Sequence, residues 1–243
     1  MIGSPRVHHR STDSTNERAK ELALGGAPHG TLVTADEQAA GRGRQGRSWV
    51  TPAGKALLMS LVLRDLGEAQ AYLPLAAALA VCDAAEESAP VRCEIKWPND
   101  VWIEGRKLAG ILVEGRPQDG WAVLGIGLNV ATAQEEFPDE LRQRATSLAA
   151  AAPGTGAGRG EVLERLLRAL DSRLAEPPAR IVESWGKRDA LLGRTVRWQD
   201  GEGRATGIDK NGALLVETTS GRVLLDAGEV HLLPQKAGRL RRA

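Results

Sequence analysis

The spacing of apolar and polar residues changes near residue 190 and divides the chain into two parts. Before that point, helical stretches are grouped around apolar runs of strand length. After Gly193 the segments become short and alternate in the β manner, and Asp-Gly, Asn-Gly and Ser-Gly turns separate most of them. We predict a mixed α+β sheet domain over residues 1–190 and a small β-barrel domain over 191–235, followed by a basic tail over 236–243.

Within the first part, the apolar runs predict strands and the amphipathic stretches predict helices. Strands are expected at 31–35, 56–63, 92–97, 101–103, 107–114 and 121–130. Helices are expected from about Ser14 to Gly25, at 72–87, at 161–175 and at 179–192. Residues 151–160, rich in Gly and Ala, are expected to form a flexible connection.

Composition narrows the classes of function. The 243 residues carry a net charge of +1, so any basic site for an anion must be local. The longest apolar run, 71–82, is too short to span a bilayer, and the N-terminus lacks the apolar core of a signal peptide. We therefore expect a cytoplasmic protein that makes no membrane contact. Cys82 and Cys93 have no metal-ligand spacing and are expected to be two isolated buried thiols.

The segment GRGRQGR, Gly41 to Arg47, matches the dinucleotide fingerprint G-x-G-x-x-G. That motif needs a helix after it, and Pro52 and Gly54 make a helix there improbable. An arginine–glycine RNA tract would need repeats, and only one tract occurs. A solvated loop with incidental charge stays open. The arginines repel one another unless an anion gathers them, so we favour an anion-binding loop that is mobile when empty.

Three further motifs combine polar groups with strands. KWPND, Lys96 to Asp100, follows a strand and could simply be a turn. KLAGILVE has Lys107 at the head of a strand and Gly110 inside it, where glycine is unfavourable unless something lies close. GIGLN at 125–129 has two glycines in a buried strand, and DSTN at 13–16 is by default a helix cap.

Taken together, these motifs closely resemble the biotin–protein ligases. The resemblance is carried by STN, Q-x-A-G-R-G-R-x-G-R-x-W, KWPND, KLAGIL-x-E and G-x-G-x-N, in that order over about 14–130, and by GIDKNGALLVE at 207–217. It implies a class II synthetase-like catalytic domain followed by an SH3-like domain. It also implies that ATP activates biotin as biotinyl-5′-adenylate, and that a lysine of a carrier protein then attacks the adenylate.

The resemblance assigns a role to each matching position. Lys107, Arg44 and Asp100 are the expected catalytic residues, and Asn99 and Asn129 the expected nucleotide contacts. The expected contacts to biotin and its adenylate are Ser14, Thr15, Asn16, Gln38, Gly41, Arg42, Gly43, Arg44, Arg47, Trp49, Lys107, Gly110, Gly125 and Gly127. No cluster of metal-ligand side chains is expected; Mg²⁺ would arrive with ATP, near Asp100.

Partners follow from the same resemblance. The acceptor would be the biotin carboxyl carrier domain of an acyl-CoA carboxylase or pyruvate carboxylase, and the enzyme a monomer or weak homodimer. DSTN begins at residue 13, so the N-terminal DNA-binding domain of some members is not expected, nor is DNA binding. Lys55 stands where the family often has another residue and would add a cation at the mouth of the site. A lipoate–protein ligase and a sensor that binds without turnover stay as alternatives.

Overall fold

The first part of the chain forms a seven-stranded sheet. In the computed structural model, which describes residues 2–154 and 156–233, the strand order is β1-β2-β3-β7-β6-β5-β4. The strands are β1 Arg6–Thr12, β2 Leu32–Gln38, β3 Ala56–Arg64, β4 Glu94–Lys96, β5 Asp100–Ile103, β6 Arg106–Arg116 and β7 Trp121–Asn129. Only β1 and β2 pair in parallel; the other neighbours are antiparallel. The predicted mixed sheet is therefore confirmed.

Six α-helices accompany the sheet in the described residues. They are α1 Thr15–Leu24, α2 Leu73–Ser88, α3 Asp139–Arg142, α4 Leu148–Ala151, α5 Arg159–Leu174 and α6 Pro178–Gly186. Helix α2 is buried around most of its circumference, because it lies between the sheet and helices α5 and α6. Helix α1 packs on the opposite face of the sheet through Ala19 and Ala23. The two faces therefore differ: one is covered by helices, and the other is covered by α1 at one end.

Two elements differ from the sequence prediction for identifiable reasons. Strand β1 was not predicted because an edge strand has little apolar alternation; it forms by pairing with β2, with Val7 opposite Val33. Helix α6 ends at Gly186, although helix was predicted to residue 192. Beyond it the backbone turns to hydrogen-bond the edge strand β4, with Ile95 N donating to Arg188 O at 2.7 Å. This pairing covers the edge of the sheet.

The second part of the chain forms a separate five-stranded antiparallel sheet of the predicted SH3-like kind. Its order is β11-β10-β9-β8-β12. The strands are β8 Thr195–Trp198, β9 Gly201–Ile208, β10 Leu214–Thr218, β11 Gly221–Leu225 and β12 His231–Leu232. The division of the chain at residue 190 stays a prediction, and the predicted basic tail, 236–243, lies outside the described residues.

Hydrogen bonds from Trp97 and Tyr72 join the two sheets. The Trp97 indole Nε1 donates to Gly212 O at 3.0 Å, and the Trp97 side chain is almost fully buried. Nearby, the Tyr72 hydroxyl donates to Lys210 O at 3.3 Å. Because Trp97 belongs to KWPND, the second sheet helps to hold that segment in place.

Cys82 and Cys93 are free and buried, as predicted. They are not isolated, however, because a hydrogen bond joins the two thiols. Burial and this hydrogen bond raise the pKa of Cys82. Within residues 2–154 and 156–233, no helix is long and apolar enough to cross a membrane.

Candidate active site

The site lies on the sheet face that α1 leaves partly open. Along β7, Leu124, Ile126 and Leu128 point into the core beneath α2, so the alternate glycines Gly125 and Gly127 point to the opposite face. Gly110 of β6 pairs directly with Gly127. These glycines leave a depression at the centre of the sheet, and the pocket is built around it.

Side chains of the protein enter this depression. A Cβ added at Gly125 would lie 2.0 Å from Asn16 Oδ1, and one at Gly127 would lie 2.6 Å from Trp49 Cε2. A Cβ at Gly110 would lie 3.1 Å from Trp49 Cζ3. All three distances are below normal carbon contacts, so the glycines allow the Asn16 amide and the Trp49 indole to lie flat against the strands. In this structure the glycines thus accommodate protein side chains, whereas the sequence suggested a ligand.

The arginine–glycine loop forms a small hairpin over the pocket. Arg42 and Ser48 form a β-bridge, Gly43 N donates to Arg47 O at 2.6 Å, and Trp49 N donates to Gly41 O at 2.9 Å. Gly46 has a φ of 74°, a conformation that favours glycine. No helix follows the loop, which confirms the rejection of the dinucleotide fingerprint. The hairpin delivers Trp49 to the sheet.

Polar residues at the start of α1 form a cluster with Gln38, Ser60 and Glu114. Gln38 Oε1 accepts hydrogen bonds from Thr15 N at 2.7 Å and from Thr15 Oγ1 at 3.0 Å. Asn16 Oδ1 accepts from Ser60 Oγ at 2.6 Å, and Asn16 Nδ2 donates to Glu114 Oε2 at 2.8 Å. Both polar atoms of the Asn16 amide are therefore engaged within the protein. This cluster is suited to a neutral ring that carries donors and acceptors.

Cations gather at the other end of the pocket. Lys107 Nζ lies 2.7 Å from Asp100 Oδ1 and 5.5 Å from the centre of the Trp49 ring. Arg44 is half-buried, and its guanidinium makes no ion pair or hydrogen bond to any residue that the structure describes. Burial lowers the pKa of Arg44, which the nearby Asp100 carboxylate partly offsets. A half-buried guanidinium without a partner is costly, so this position is suited to an anion.

The other loop arginines are paired. Arg42 Nη1 lies 2.5 Å from Glu17 Oε1 of helix α1. Arg47 forms an ion pair with Glu229, which belongs to the connection between β11 and β12. The second sheet therefore reaches the pocket, where Gly228 and Glu229 form part of its wall.

The KWPND segment is a turn between β4 and β5 that is tied to the floor of the pocket. Asn99 Nδ2 donates to Ile111 O at 2.7 Å, and Ile111 N donates to Asn99 O at 3.0 Å. These two bonds fix the turn against β6. They place Asp100 next to Lys107, because β5 and β6 are paired neighbours. The turn interpretation is thus confirmed, and residues of the turn also line the pocket.

Most of the predicted site residues meet in this pocket. Its lining includes Ser14, Thr15, Asn16, Gln38, Arg42, Gly43, Arg44, Arg47, Trp49, Asn99, Asp100, Lys107, Gly110, Gly125 and Gly127. Their roles toward ligands stay predictions.

Three predicted residues do not line the pocket. Gly41 lies behind the wall, where an added Cβ would be 2.5 Å from Trp49 O. Asn129 is buried, and its Nδ2 donates to Thr146 O at 3.0 Å, so its amide holds the segment that follows α3. Lys55, expected at the mouth, lies 3.3 Å from Glu136 instead.

Among the polar residues at the site, sequence reasoning assigned no role to Ser60, Glu114 or Glu229, and it named Lys96 only as part of KWPND. Ser60 left a detectable signal, since it is the one polar residue of the run ALLMSLVL. Glu114 ends an otherwise apolar strand, and Lys96 heads the KWPND motif. Glu229 comes from the second sheet and gave no signal in the local sequence.

The residues of the site do not form a metal cage. No group of three or more His, Cys, Asp or Glu side chains is placed to hold a metal ion in the part of the chain that the structure describes. The two carboxylates that line the pocket are already paired, Asp100 with Lys107 and Glu229 with Arg47.

Comparison with known proteins identifies the class to which this fold and site belong. Residues 8–130 match the model of the "Biotin/lipoate A/B protein ligase family", and residues 191–233 match that of the "Biotin protein ligase C terminal domain". The two matched segments correspond to the sheet that carries the pocket and to the small second sheet.

Comparison with individual proteins narrows this family of biotin and lipoate ligases to the biotin protein ligases. The "Bifunctional ligase/repressor BirA" of Bacillus subtilis is 36% identical over 96% of this chain and 75% of its own length. The "Biotin--[acetyl-CoA-carboxylase] ligase" of Mycobacterium tuberculosis is 36% identical over 90% of this chain and 85% of its own length. The structure of the biotin protein ligase from Aquifex aeolicus in complex with biotin and ATP superposes with a TM-score of 0.83 and 30% identity, covering 95% of this chain and 99% of that one. This chain belongs to the biotin protein ligase family, and it is a ligase.

Proposed function

We propose that the protein activates biotin with ATP as biotinyl-5′-adenylate and transfers it to a lysine of a biotin carboxyl carrier domain. An acyl-CoA carboxylase or a pyruvate carboxylase would carry that domain. Support comes from relatives whose names specify biotin and acetyl-CoA carboxylase, and from a similar structure that holds biotin and ATP. The pocket adds chemical support, because a cluster of polar residues lies at one end of it and a cluster of cations at the other.

The single observation that carries the proposal is the half-buried, unpaired guanidinium of Arg44 beside the Lys107–Asp100 pair. Joining a carboxylate to a phosphate requires two anions to meet. At 4 Å their repulsion is about 4 kcal/mol under the screening typical of a protein surface, and larger in a dry site. Arg44 and Lys107 lie where such a pair of anions would need neutralising.

Each end of the pocket has a distinct task in this proposal. The buried polar group around Thr15 and Gln38 would hold the ureido ring of biotin, and the indole of Trp49 would pack on its apolar part. Lys107 would contact the biotin carboxylate and the α-phosphate of ATP. Asp100 would then lose Lys107 as its partner and become available to accept a proton from the acceptor lysine.

The nucleotide would enter as MgATP, with the metal as part of the substrate. The phosphate oxygens and water would supply most of its ligands, since the two carboxylates of the pocket, Asp100 and Glu229, each pair with a cation. The ion would neutralise charge on the leaving pyrophosphate.

One assay tests the proposal against the two alternatives. The purified protein is incubated with MgATP and labelled biotin or labelled lipoate, with and without a biotin carrier domain. We expect biotin-dependent exchange between ATP and pyrophosphate, and transfer of the biotin label to the carrier. Transfer of lipoate alone would make the protein a lipoate ligase. Binding of biotin without exchange would make it a sensor, and both outcomes would overturn the proposal.

A further inference from the structure

Glu114 joins strand β6 to helix α1 beside the pocket. Its side chain lies on the same face of β6 as Gly110 and Leu112, which line the cavity, because alternate residues of a strand point to the same face. Glu114 Oε2 accepts a hydrogen bond from Asn16 Nδ2 at 2.8 Å, and Glu114 Oε1 lies 3.1 Å from Lys20 Nζ. Asn16 and Lys20 are one helical turn apart, so a single carboxylate holds two turns of α1 against the sheet.

Buried hydroxyl groups continue this chain of contacts from Asn16 into the pocket. Ser60 Oγ lies 2.6 Å from Asn16 Oδ1 and 2.8 Å from Thr15 Oγ1. Thr15 Oγ1 lies 3.0 Å from Gln38 Oε1, which also accepts from Thr15 N at 2.7 Å. Asn16, Thr15 and Ser60 are at most 4% exposed, so their hydrogen atoms need partners within this chain or in a ligand.

The carboxylate of Glu114 sets the direction of these hydrogen bonds. An ionised carboxylate can only accept, so the Asn16 amide turns its Nδ2 toward Glu114 and its Oδ1 toward Ser60. The Ser60 hydroxyl lies close to two oxygen atoms but carries one hydrogen, and Asn16 Oδ1 has none to share, so Ser60 donates to Asn16. Ser60 Oγ and Gln38 Oε1 are therefore both acceptors toward the Thr15 hydroxyl.

Thr15 consequently presents a lone pair to the pocket that it lines. Its one hydrogen lies between two acceptors of the protein, and turning it into the cavity would leave both of them facing the Thr15 oxygen without a hydrogen. The cavity is therefore suited, at this point, to a ligand that donates an N–H.

Lys20 keeps Glu114 in this role. Burial lowers the pKa of Lys20, but hydrogen bonds to Glu17 and Glu114 outweigh it and raise the pKa above its ordinary value. The ammonium therefore stays charged and requires an acceptor at Glu114. Lys20 Nζ also lies 2.6 Å from Glu17 Oε1, with which Arg42 of the hairpin pairs. A row of alternating charges thus connects Glu114 to the hairpin.

We propose that Glu114 is a positioning residue for biotin, which fixes the orientation of the Asn16 amide and thereby keeps Thr15 Oγ1 as an acceptor for a ureido N–H. Asn16 and Thr15 line the cavity, and Glu114 acts through them. This inference rests on the proposed function, because biotin is the ligand that it concerns.

Glu114→Gln tests the assignment with little change in shape. The Lys20 ammonium requires an acceptor, so the glutamine should turn its oxygen toward Lys20 and its Nε2 toward Asn16. The Asn16 amide must then turn over, and Ser60 is free to donate to Thr15. The Thr15 hydroxyl loses one of its two acceptors and can turn its hydrogen into the pocket, where it opposes a ligand N–H.

A second substitution reverses one hydrogen bond and should restore the original direction of the others. With Asn16→Asp added to Glu114→Gln, the aspartate accepts from the glutamine Nε2 and from Ser60, while the glutamine oxygen accepts from Lys20. The net charge is that of the wild type. Asn16→Asp alone places two carboxylates against each other and should be the most damaging of the three variants.

Glu21→Gln is the matched control, since Glu21 belongs to the same helix, is exposed and pairs with Arg18 at 2.8 Å. The measurements are biotin binding by titration calorimetry, biotin-dependent exchange between ATP and pyrophosphate, and thermal unfolding.

We expect Glu114→Gln to weaken biotin binding about 3- to 10-fold, the usual effect of one hydrogen bond. KM for biotin should rise by the same factor, whereas KM for ATP and kcat at saturating biotin should be unchanged. The double variant should recover most of the biotin affinity, and Glu21→Gln should behave as the wild type does. A residue with a merely structural role would lower the melting temperature, raise KM for both substrates and gain nothing from the second substitution.

The assignment fails if Glu114→Gln binds biotin as tightly as the wild type does, or if the double variant binds it no better than Glu114→Gln alone. It also fails if KM for ATP rises as much as KM for biotin. Failure of the proposed function would look different, because the wild type itself would then show no binding of biotin or no biotin-dependent exchange. If biotin binds without exchange, calorimetry on the same variants still decides the role of Glu114.

Discussion

At the scale of single residues, the pocket depends on where charges have partners and where they do not. Lys107 and Asp100 form a partly buried pair, whereas Arg44 and Lys96 have no ion-pair partner among the described residues. Burial without a partner makes a cation receptive to an anion. Burial also affects an acidic residue away from the pocket, the carboxyl of Asp189, which has few partners.

Replacing Lys107 tests the catalytic assignment. Lys107→Ala should slow adenylate formation about 100- to 1000-fold, the usual effect of removing one preorganised charge-stabilising group. The fold should remain, because the side chain is partly exposed and lies in the pocket beside Asp100, Trp49 and Gly110. Biotin-dependent pyrophosphate exchange measures the first effect and circular dichroism the second. Normal exchange by this variant, with Lys187→Ala as the control, would refute the role.

The raised pKa of Asp189 should give the protein an unusual dependence of folding stability on pH. Burial raises its pKa to about 6, although backbone N–H groups of Leu191 and Leu192 oppose the shift. A raised carboxyl pKa means that the folded state binds the proton more tightly than the unfolded state. The stability that this group contributes is therefore present below the unfolded pKa, near 3.8, and is lost as pH rises through about 6.

Asp189→Asn should remove this loss. At pH 7.5 the variant should melt at a higher temperature than the wild type, with an unfolding free energy that is larger by at most about 3 kcal/mol. This gain should disappear near pH 4. Thermal unfolding at several pH values measures the difference, and the exposed Asp200→Asn serves as control. An equal gain at both ends of the pH range would contradict the burial argument.

At the scale of elements, the arginine–glycine hairpin is the least firmly held part of the site. It is mostly exposed, and its contacts to the rest of the protein are chiefly Trp49 on the sheet, Arg42 on Glu17 and Arg47 on Glu229. Ordering about ten residues costs roughly 10–20 kcal/mol of backbone entropy, and one charge-assisted contact returns roughly 1.5–3 kcal/mol. Several contacts must therefore act together.

We expect residues 41–54 to exchange their amide hydrogens rapidly in the ligand-free protein and slowly once biotin and ATP are bound. Glu229→Gln should speed the ligand-free exchange further, because it removes the partner of Arg47 in the second sheet. Glu202→Gln breaks an exposed ion pair with Arg197 in the same sheet and should have no effect on the hairpin. Exchange that is equally slow with and without ligand would show that the loop is preorganised.

At the scale of the whole molecule, the second sheet is part of the structure of the site. Trp97 donates to Gly212 O, and its neighbour Asn99 is bonded to β6 beneath the pocket. Glu229 reaches the pocket from the same sheet. A disturbance at the junction between the sheets should therefore spread to the KWPND turn.

Two substitutions at the junction should differ in cost. Trp97→Phe removes a buried hydrogen bond and leaves unfilled volume, so it should lower the unfolding free energy by about 2–4 kcal/mol. Tyr72→Phe removes an exposed hydrogen bond across the same junction and should change it by less than about 0.5 kcal/mol. Urea unfolding of the two variants makes the comparison. Equal effects would mean that Trp97 does not tie the sheets together.

The sequence by itself determined the class of the fold and most of the residues that line the pocket. Apolar runs such as ALLMSLVL and the periodicity of α2 are local signals, because a buried element must be apolar wherever its neighbours come from. The anion-binding loop was predicted from its arginines, whereas the site roles of the KWPND segment and of Lys107 came from the resemblance to the biotin–protein ligases. The glycines of β6 and β7 were predicted to have close neighbours, because glycine is otherwise unfavourable in a strand.

Only the tertiary structure decided which groups meet and which cations lack partners. Strand β1 and the early end of α6 depend on pairing with distant strands, so nothing nearby in the sequence announces them. The neighbours of the glycines are Asn16 and Trp49, and Asn129 supports a backbone segment instead of lining the pocket. Whether a lysine is paired depends on side chains that the fold brings together from distant positions, and this is what separates Lys96 from Lys107.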